Sequence, residues 1–164
     1  AITRMHQDID MSNVFLTQIE GKKRVVLFPP DQSDLLYRLP FNVHSTVDID
    51  KPDYKEYPAL KYAKGLTGIL EYGDTLFMPS GYWHHIEYVE GGYGLSVRSL
   101  PPQFSIKIKG FYNLTIQRKL DDMLRFTFGN KWFELKKSIA KKRAERAIKR
   151  MHKNNAHSGD LAFQ

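Results

Sequence analysis

Residues 73–85 read GDTLFMPSGYWHH, and this stretch decides the predicted fold. A short strand-like run covers 75–78, within a region whose periodicity is mostly two; turn-forming residues occupy 79–81, and a second strand-like run begins at His84. A period of two is typical of a strand with one buried side, and glycine and proline mark the turn between two strands. The stretch therefore predicts two short strands joined by a tight turn, with His84 at the start of the second.

Similar strand-like runs recur through the first hundred residues, at 13–19, 23–28, 67–71, 84–89 and 94–99. The first two of these runs flank Glu20-Gly21, and we predict that they form a hairpin. Segment 40–64 is irregular apart from one predicted helical turn near Ala59. Many short strands with turn residues between them are typical of a sandwich or barrel.

The periodicity becomes helical after Pro101-Pro102. One predicted helix has an apolar face and ends at Gly129-Asn130; its face consists of Leu114, Ile116, Leu120, Met123 and Leu124. A second, longer helix follows, with Trp132, Leu135, Ile139, Ala147, Ile148 and Met151 along one side. We therefore predict a β core over residues 1–100 and a helical extension over residues 101–164.

Charge is distributed unevenly along the 164 residues, whose net charge is +7. Residues 1–110 carry a net charge of −1, and residues 111–164 carry +8. The absence of cysteine excludes disulfides and thiolate metal sites. No apolar run approaches the roughly 20 residues that span a membrane, and we expect a cytoplasmic protein. Because the chain starts at Ala1 and a metal motif begins at residue 6, we expect further chain before Ala1 in the natural protein.

That motif is His6-x-Asp8, which His84 complements from a distant strand. Residues i and i+2 of a strand project from the same side, so His6 and Asp8 can face one ion. Asp10 shares this parity and is the rival ligand, although the His-x-Asp spacing favours Asp8. Two imidazoles and one carboxylate on one face of a metal are the ligand set of non-haem Fe(II) oxygenases.

Several blocks together carry a family resemblance. They are His6-x-Asp8, QIEGKKR at 18–24, LFPPD at 27–31, DIDKPDY at 48–54, and the stretch 73–85. From His6 to Leu100 the chain resembles the JmjC, cupin-like branch of 2-oxoglutarate-dependent oxygenases, which includes protein-hydroxylating and tRNA-modifying enzymes. The resemblance implies a mainly β fold, a double-stranded β-helix (jelly-roll or cupin barrel) followed by C-terminal α-helices.

The resemblance also implies roles for individual residues. His6, Asp8 and His84 match the ligands of Fe(II). Lys23, Thr3 and Asn13 match residues that contact 2-oxoglutarate, Lys23 by pairing with its distal carboxylate. Arg98 is a departure, because a protein-hydroxylating member of this branch carries asparagine at the matching position of its last strand. The implied reaction hydroxylates a C–H bond with O₂ and releases succinate and CO₂.

Alternation along the strands separates neighbouring residues at the site. It places Lys22 and Lys23 on opposite sides of their strand, and His84 and His85 likewise. We therefore expect Lys22 in solvent and leave His85 out of the metal site. His44, in the irregular segment, is expected to be exposed, and we expect Tyr82 and Trp83 to serve packing.

Other functional classes remain open on the sequence alone. One is a different metal-binding cupin, either an isomerase or a dioxygenase that does not use 2-oxoglutarate, and another is a non-catalytic cupin-like binding module. The substrate can be a protein side chain, a tRNA base or a small molecule. The basic C-terminal helix has three interpretations: a solvated face, a homodimer interface, or a surface for nucleic acid.

Overall fold

The computed structural model describes residues 1–160, with side chains through residue 153. The strands are β1 (Ile2–His6), β2 (Asn13–Gln18), β3 (Lys23–Phe28), β4 (Leu66–Leu70), β5 (Thr75–Met78), β6 (Trp83–Tyr88) and β7 (Gly94–Ser99). The helices are α1 (Phe104–Tyr112), a π-helical segment (Asn113–Gln117), α2 (Arg118–Phe128) and α3 (Asn130–Asp160). Short 3₁₀ turns cover Pro30–Gln32 and Pro58–Tyr62, and the second is the helical turn predicted within segment 40–64.

The strands form two antiparallel sheets. The larger sheet has the order β1-β6-β3-β4, and the smaller has the order β5-β2-β7. Consecutive strands therefore alternate between sheets in part of the chain, as expected for a double-stranded β-helix. The predicted mainly β fold with C-terminal helices is confirmed.

The predicted hairpin between β2 and β3 is wrong, because the two strands belong to different sheets. The backbone N–H groups of Ile19 and Glu20 donate to the carbonyl oxygen of Tyr93, at 3.1 and 3.0 Å. Gly21 has a φ of +74°, and a Cβ there would lie 2.2 Å from the carbonyl oxygen of Gly91. The link packs against the loop before β7, and this contact leads the chain from one sheet to the other.

Two apolar clusters stabilise the sheets. The inner cluster lies between them and contains Val14, Leu16, Val25, Leu27, Leu70, Met78 and Ile86. The outer cluster covers the other side of the larger sheet, where Trp83 is fully buried beneath residues of the irregular segment. Ala140 and Ala144 of α3 complete this cluster. The long helix therefore packs on the β core through small side chains.

The C-terminal helices differ from the prediction in two respects. Helix α1 was not predicted, and the apolar face expected in the first helix is not buried: Leu114, Ile116 and Met123 are each more than 40% exposed. The predicted end at Gly129 is confirmed, since Gly129 has a φ of +52° and its N–H donates to the carbonyl of Arg125. Among the described residues, no helix is both long and apolar enough to cross a bilayer.

Candidate metal centre

A β-bulge in β1 aligns the first residues of the site. Thr3 pairs with Ile86 and His6 pairs with His84, so three steps along β1 face two steps along β6. An extra residue in one strand changes which side the following residues face. Without the bulge, Thr3 and His6 would project to opposite sides; with it, both share the side of Ile86 and His84, which faces the inner cluster.

His6, Asp8 and His84 come together at the end of this strand pair. One ligand atom from each lies within 4.8 Å of the others. The Nδ1 of His6 lies 2.8 Å from the carbonyl oxygen of Arg4, and that of His84 lies 3.3 Å from the carbonyl oxygen of Tyr82. A carbonyl can only accept a hydrogen bond, so both Nδ1 atoms carry the proton and both Nε2 lone pairs are available to a metal.

The strand argument for Asp8 and Asp10 is wrong, because β1 ends at His6 and both aspartates lie in the turn that follows. The turn still brings Asp8 to the two histidines. It directs Asp10 elsewhere, since the Asp10 carboxylate accepts hydrogen bonds from the N–H and Oγ of Ser12. In the part of the chain that the structure describes, Asp10 is outside the ligand group.

Electrostatics favour the metal-binding form of His84. The side chain is 5% exposed. Burial first, and the neighbouring His6 second, lower the pKa of His84 to about 4. The imidazole is therefore neutral near pH 7, as a metal ligand must be. Two imidazoles and one carboxylate form a ligand set that fits an octahedral Fe(II) ion with open positions.

Lys23 enters the space between the sheets from β3. Its side chain is 5% exposed, and its Nζ lies 5.2 Å from the ring centre of Tyr88. Among the described residues, no carboxylate forms a salt bridge with this ammonium. Lys22, by contrast, is exposed and lies 3.1 Å from Glu71 and 3.6 Å from Glu90. The predicted opposite orientation of the two lysines is confirmed.

Two residues that the sequence analysis missed surround the Lys23 ammonium. Gln18 is 1% exposed, and its Oε1 is buried without a hydrogen-bond partner in the described chain. A Cβ on Gly94 would lie 2.9 Å from Lys23 Nζ and 3.2 Å from Gln18 Oε1, so only glycine leaves this space open. Glycine within a strand often marks a close approach by a ligand or side chain, and that signal was present in the sequence.

The other two residues predicted to contact 2-oxoglutarate have different surroundings. Thr3 is partly buried on the inward side of β1, beside Ile86. Asn13 begins β2, and its Oδ1 accepts a hydrogen bond of 2.9 Å from the N–H of Ser80. The carboxamide of Asn13 therefore holds the turn before β6, and its NH₂ group is the part free to meet a ligand.

The DIDKPDY block has a structural role on the opposite side of the larger sheet. Asp50 accepts hydrogen bonds from Arg24 and from His85, whose Nε2 lies 2.9 Å from Asp50 Oδ2. Arg24 also donates to Glu87 at 2.8 Å. Partial burial raises the pKa of Asp50, but the hydrogen bonds and charges of Arg24 and His85 outweigh it and hold this pKa below its usual value. His85 thus points away from the predicted metal ligands, as expected from the alternation along β6.

The remaining predictions concern residues around the site. His44 is exposed as predicted, yet it pairs with His6 in an isolated bridge, and the two rings lie 5.7 Å apart. Trp83 serves packing and donates from its Nε1 to Ser33 Oγ at 2.9 Å. Tyr82 packs against the inner cluster.

A cleft of about 430 Å³ is lined by two of the three predicted metal ligands, His6 and Asp8. Its lining also includes His44, Gln117 at the end of the π-helical segment and Arg118 at the start of α2. Asp121, which also lines the cleft, accepts hydrogen bonds from Trp132 at 2.8 Å and from Lys136 at 2.7 Å. The helical extension therefore contributes part of the cleft lining.

Comparison with known proteins identifies the family of this chain. The family model of the cupin-like domain matches residues 1–116, which is most of the chain. The chain belongs to the cupin-like domain family. The JmjC, cupin-like resemblance inferred from the sequence motifs is thereby confirmed, and the cupin-like fold agrees with the two facing antiparallel sheets.

Individual cupin-like relatives are similar over the β core. The tRNA wybutosine-synthesizing protein 5 of Gallus gallus is 39% identical over 88 residues, which cover 54% of this chain and 27% of the relative. The JmjC domain-containing protein D of Dictyostelium discoideum is 33% identical over 99 residues, covering 57% and 21%. The structure of YcfD, a ribosomal oxygenase from Escherichia coli in complex with cobalt and 2-oxoglutarate, aligns with a TM-score of 0.41 and 22% identity, covering 74% of this chain and 26% of that one. The chain spans about a quarter of the length of these relatives.

Proposed function

We propose that this cupin-like domain is the catalytic core of an Fe(II)- and 2-oxoglutarate-dependent oxygenase that hydroxylates a C–H bond. The observation that carries the proposal is the pairing of two features: the His6, Asp8 and His84 ligand group, and a buried Lys23 without a carboxylate partner. A metal-binding cupin that does not use 2-oxoglutarate has no need for the second feature. Bound iron would supply the activation of O₂ that drives the oxidation.

The charges at the site suit a dicarboxylate. A divalent metal bound by Asp8 leaves one positive charge, and Lys23 adds a second. The two negative charges of 2-oxoglutarate would neutralise them, with the distal carboxylate at Lys23 and the 2-oxo acid end at the metal. A charged ammonium that is otherwise unpaired in a buried site gains most from such a partner.

The residues of the chain have distinct tasks in this proposal. His6 and His84 present Nε2 to the metal because backbone carbonyls hold their Nδ1 protons. Gly94 keeps the space beside Lys23 open, and Gln18 Oε1 faces the same space. Thr3 would add a hydroxyl contact to the distal carboxylate, and the NH₂ group of Asn13 would contact the 2-oxo acid end. The apolar inner cluster excludes water from this side of the site.

An anaerobic titration tests the proposal. 2-Oxoglutarate is added to the Fe(II)-loaded protein, and the weak visible charge-transfer band of the chelated metal is followed. We expect the band in the wild type, its loss in His84→Ala through loss of iron, and its loss in Lys23→Ala with iron still bound. Lys22→Ala is the matched control and keeps the band. Iron binding without a band indicates a different cupin chemistry, and failure to bind iron indicates a non-catalytic module.

For the substrate, we propose an RNA base in preference to a protein side chain or a small molecule. Helix α3 exposes a line of cations at helical spacing, which comprises Lys142, Arg146, Lys149 and Lys153. Similarity to tRNA wybutosine-synthesizing proteins favours the same substrate class. We expect tRNA binding that weakens with salt, and a smaller salt slope in the double variant Lys142→Glu/Lys149→Glu. A slope that the double variant leaves unchanged argues for another substrate class.

We also propose that the domain self-associates through its C-terminal helices. Phe104 and Phe111 of α1 are 75% and 67% exposed, and Phe126 of α2 is 94% exposed. Large exposed apolar surfaces are typical of interfaces, and two-fold dimers are the commonest assembly. Light scattering is expected to give the mass of a dimer for the wild type and that of a monomer for Phe111→Ser/Phe126→Ser. A monomeric wild type contradicts the proposal.

A further inference from the structure

Arg98 bridges the loop that carries the carboxylate ligand. It lies on β7 opposite Val14, and its guanidinium reaches across to residues 8–12. Nη2 donates to Asp8 Oδ1 at 3.0 Å, while Nη1 donates to Ser12 Oγ at 3.1 Å and to Asp10 Oδ1 at 3.3 Å. One side chain therefore contacts three positions of a single turn.

The loop needs such a contact because no strand holds Asp8. β1 ends at His6, and Met11, three residues beyond Asp8, has a φ of +57°, a conformation that non-glycine residues rarely adopt. Among the described residues, Arg98 makes the only side-chain hydrogen bond to the Asp8 carboxylate. With Oδ1 bound to a guanidinium, Oδ2 of Asp8 is the oxygen left without a side-chain hydrogen bond in the described part of the chain.

Asp10 supplies the counter-charge for this arrangement. Its carboxylate binds Arg98 and is itself oriented by the N–H and hydroxyl of Ser12. Arg98 and Asp10 cancel in net charge, so the guanidinium can stand beside a metal ligand with little added repulsion for the cation. This pairing also explains why Asp10, the rival ligand on the sequence, is engaged elsewhere.

We propose that Arg98 is a positioning residue of the metal centre, which holds Asp8 in the orientation that gives one oxygen to the ion, with Asp10 as its counter-charge. The inference rests on the proposed function to the extent that Asp8 is taken as a metal ligand. It assigns a role to Arg98, the position that the sequence resemblance left unexplained.

Whether metal affinity rises or falls when Arg98 is removed distinguishes a positioning role from a simple charge effect. Arg98 is a cation close to a cation-binding site, so on Coulomb's law alone its removal strengthens metal binding. If Arg98 instead orients the ligand, its removal weakens metal binding, because residues that orient metal ligands typically contribute about 10- to 100-fold in affinity. The two explanations predict opposite results.

The experiment is a calorimetric titration of Co(II) into the full chain without 2-oxoglutarate, together with the visible d–d spectrum of the bound ion. We expect Arg98→Ala to weaken Co(II) binding at least about 10-fold and to change the spectrum. Arg98→Lys keeps the charge but lacks the planar guanidinium whose two Nη atoms reach Asp8 and Asp10 separately, so partial recovery is expected. Arg118→Ala is the matched control, since it removes a cation from the cleft wall without touching Asp8, and its affinity stays the same or rises.

The outcomes distinguish this inference from the proposed function. Wild-type binding of Co(II) that is lost in His84→Ala supports the metal site itself. If Arg98→Ala then binds Co(II) as tightly as the wild type, or more tightly, the positioning role is overturned and the metal site stands. A wild type that binds no Co(II) overturns both. Thermal unfolding of each metal-free variant shows whether it is folded. If Arg98→Ala is unfolded, the affinity of Arg98→Lys for Co(II) is compared with that of the wild type instead.

Discussion

Replacing Lys23 by methionine should raise the thermal stability of the metal-free protein and abolish its stabilisation by 2-oxoglutarate. Methionine fills about the same volume as the lysine stem but removes the ammonium. In the structure this ammonium lies in a side chain that is 5% exposed, and its only described charge-related contact is the ring of Tyr88. The residue therefore costs stability until an anion binds, and the substitution separates its structural effect from its binding effect.

The expected magnitudes follow from burial and from ligand linkage. A buried polar group without a hydrogen-bonded partner costs about 1–3 kcal/mol in protein mutational data. For a chain of this size, 1 kcal/mol corresponds to about 2–4 °C in Tm, so Lys23→Met is expected to raise the Tm of the metal-free protein by roughly 2–12 °C. At a 2-oxoglutarate concentration of 100 times Kd, the wild type gains about 2.7 kcal/mol from ligand binding. The variant is expected to gain none of it.

Thermal unfolding followed by circular dichroism measures both quantities. Each protein is unfolded without metal, with Mn(II), and with Mn(II) plus 2-oxoglutarate, and Mn(II) replaces Fe(II) so that no oxidation occurs during heating. Lys22→Met is the matched control. Its side chain is exposed and forms only surface ion pairs, so its Tm and its 2-oxoglutarate response should match the wild type within about 0.5 kcal/mol.

Two results would refute this reasoning about Lys23. If Lys23→Met keeps the wild-type stabilisation by 2-oxoglutarate at fixed Mn(II), Lys23 does not bind the co-substrate. If the metal-free variant is instead less stable than the wild type by several kcal/mol, the ammonium has a partner that stabilises it, and the unpaired state on which the proposed function rests is wrong.

Three further substitutions test the surroundings of the site. Asp121→Ala leaves the ammonium of Lys136, a residue that is 4% exposed, without its carboxylate partner. We expect the free energy of unfolding in urea to fall by about 3–5 kcal/mol. A fall below about 1 kcal/mol contradicts a stabilising buried pair. Gly110→Ala places a Cβ 2.3 Å from the carbonyl oxygen of Asp10, in the loop that carries Asp8. We expect the free energy of unfolding to fall by about 1–3 kcal/mol and Co(II) binding to weaken. Gly68→Ala is the control, because its Cβ meets no atom within 4 Å. The depressed pKa of Asp50 means that its contribution to stability is present above its ordinary pKa of 3.8 and is lost as pH falls below that value. Unfolding free energies measured down to pH 3 should therefore fall more steeply for the wild type than for Asp50→Asn, and parallel curves contradict the assignment.

Local sequence patterns determined much of the candidate site. The chemistry of His6, Asp8 and His84 follows from residue type alone, and the alternation of β3 was enough to separate the buried Lys23 from the exposed Lys22. Gly129 marked the end of a helix because a left-handed residue terminates the i to i−4 ladder wherever it occurs. These properties depend on neighbours within a few residues, so the sequence alone could predict them.

Tertiary structure decided how these local pieces combine. Adjacent runs of strand pattern predicted a hairpin, but hydrogen bonds to Tyr93 direct β2 and β3 into different sheets. The bulge that turns Thr3 and His6 to the same side exists only through pairing with β6, from residues about eighty positions away. The contact of Arg98 with Asp8 and the space that Gly94 leaves for Lys23 likewise join distant segments. Periodicity records which residues of a strand share a side, whereas partner choice, bulges and close approaches depend on backbone hydrogen bonds between segments that no local pattern specifies.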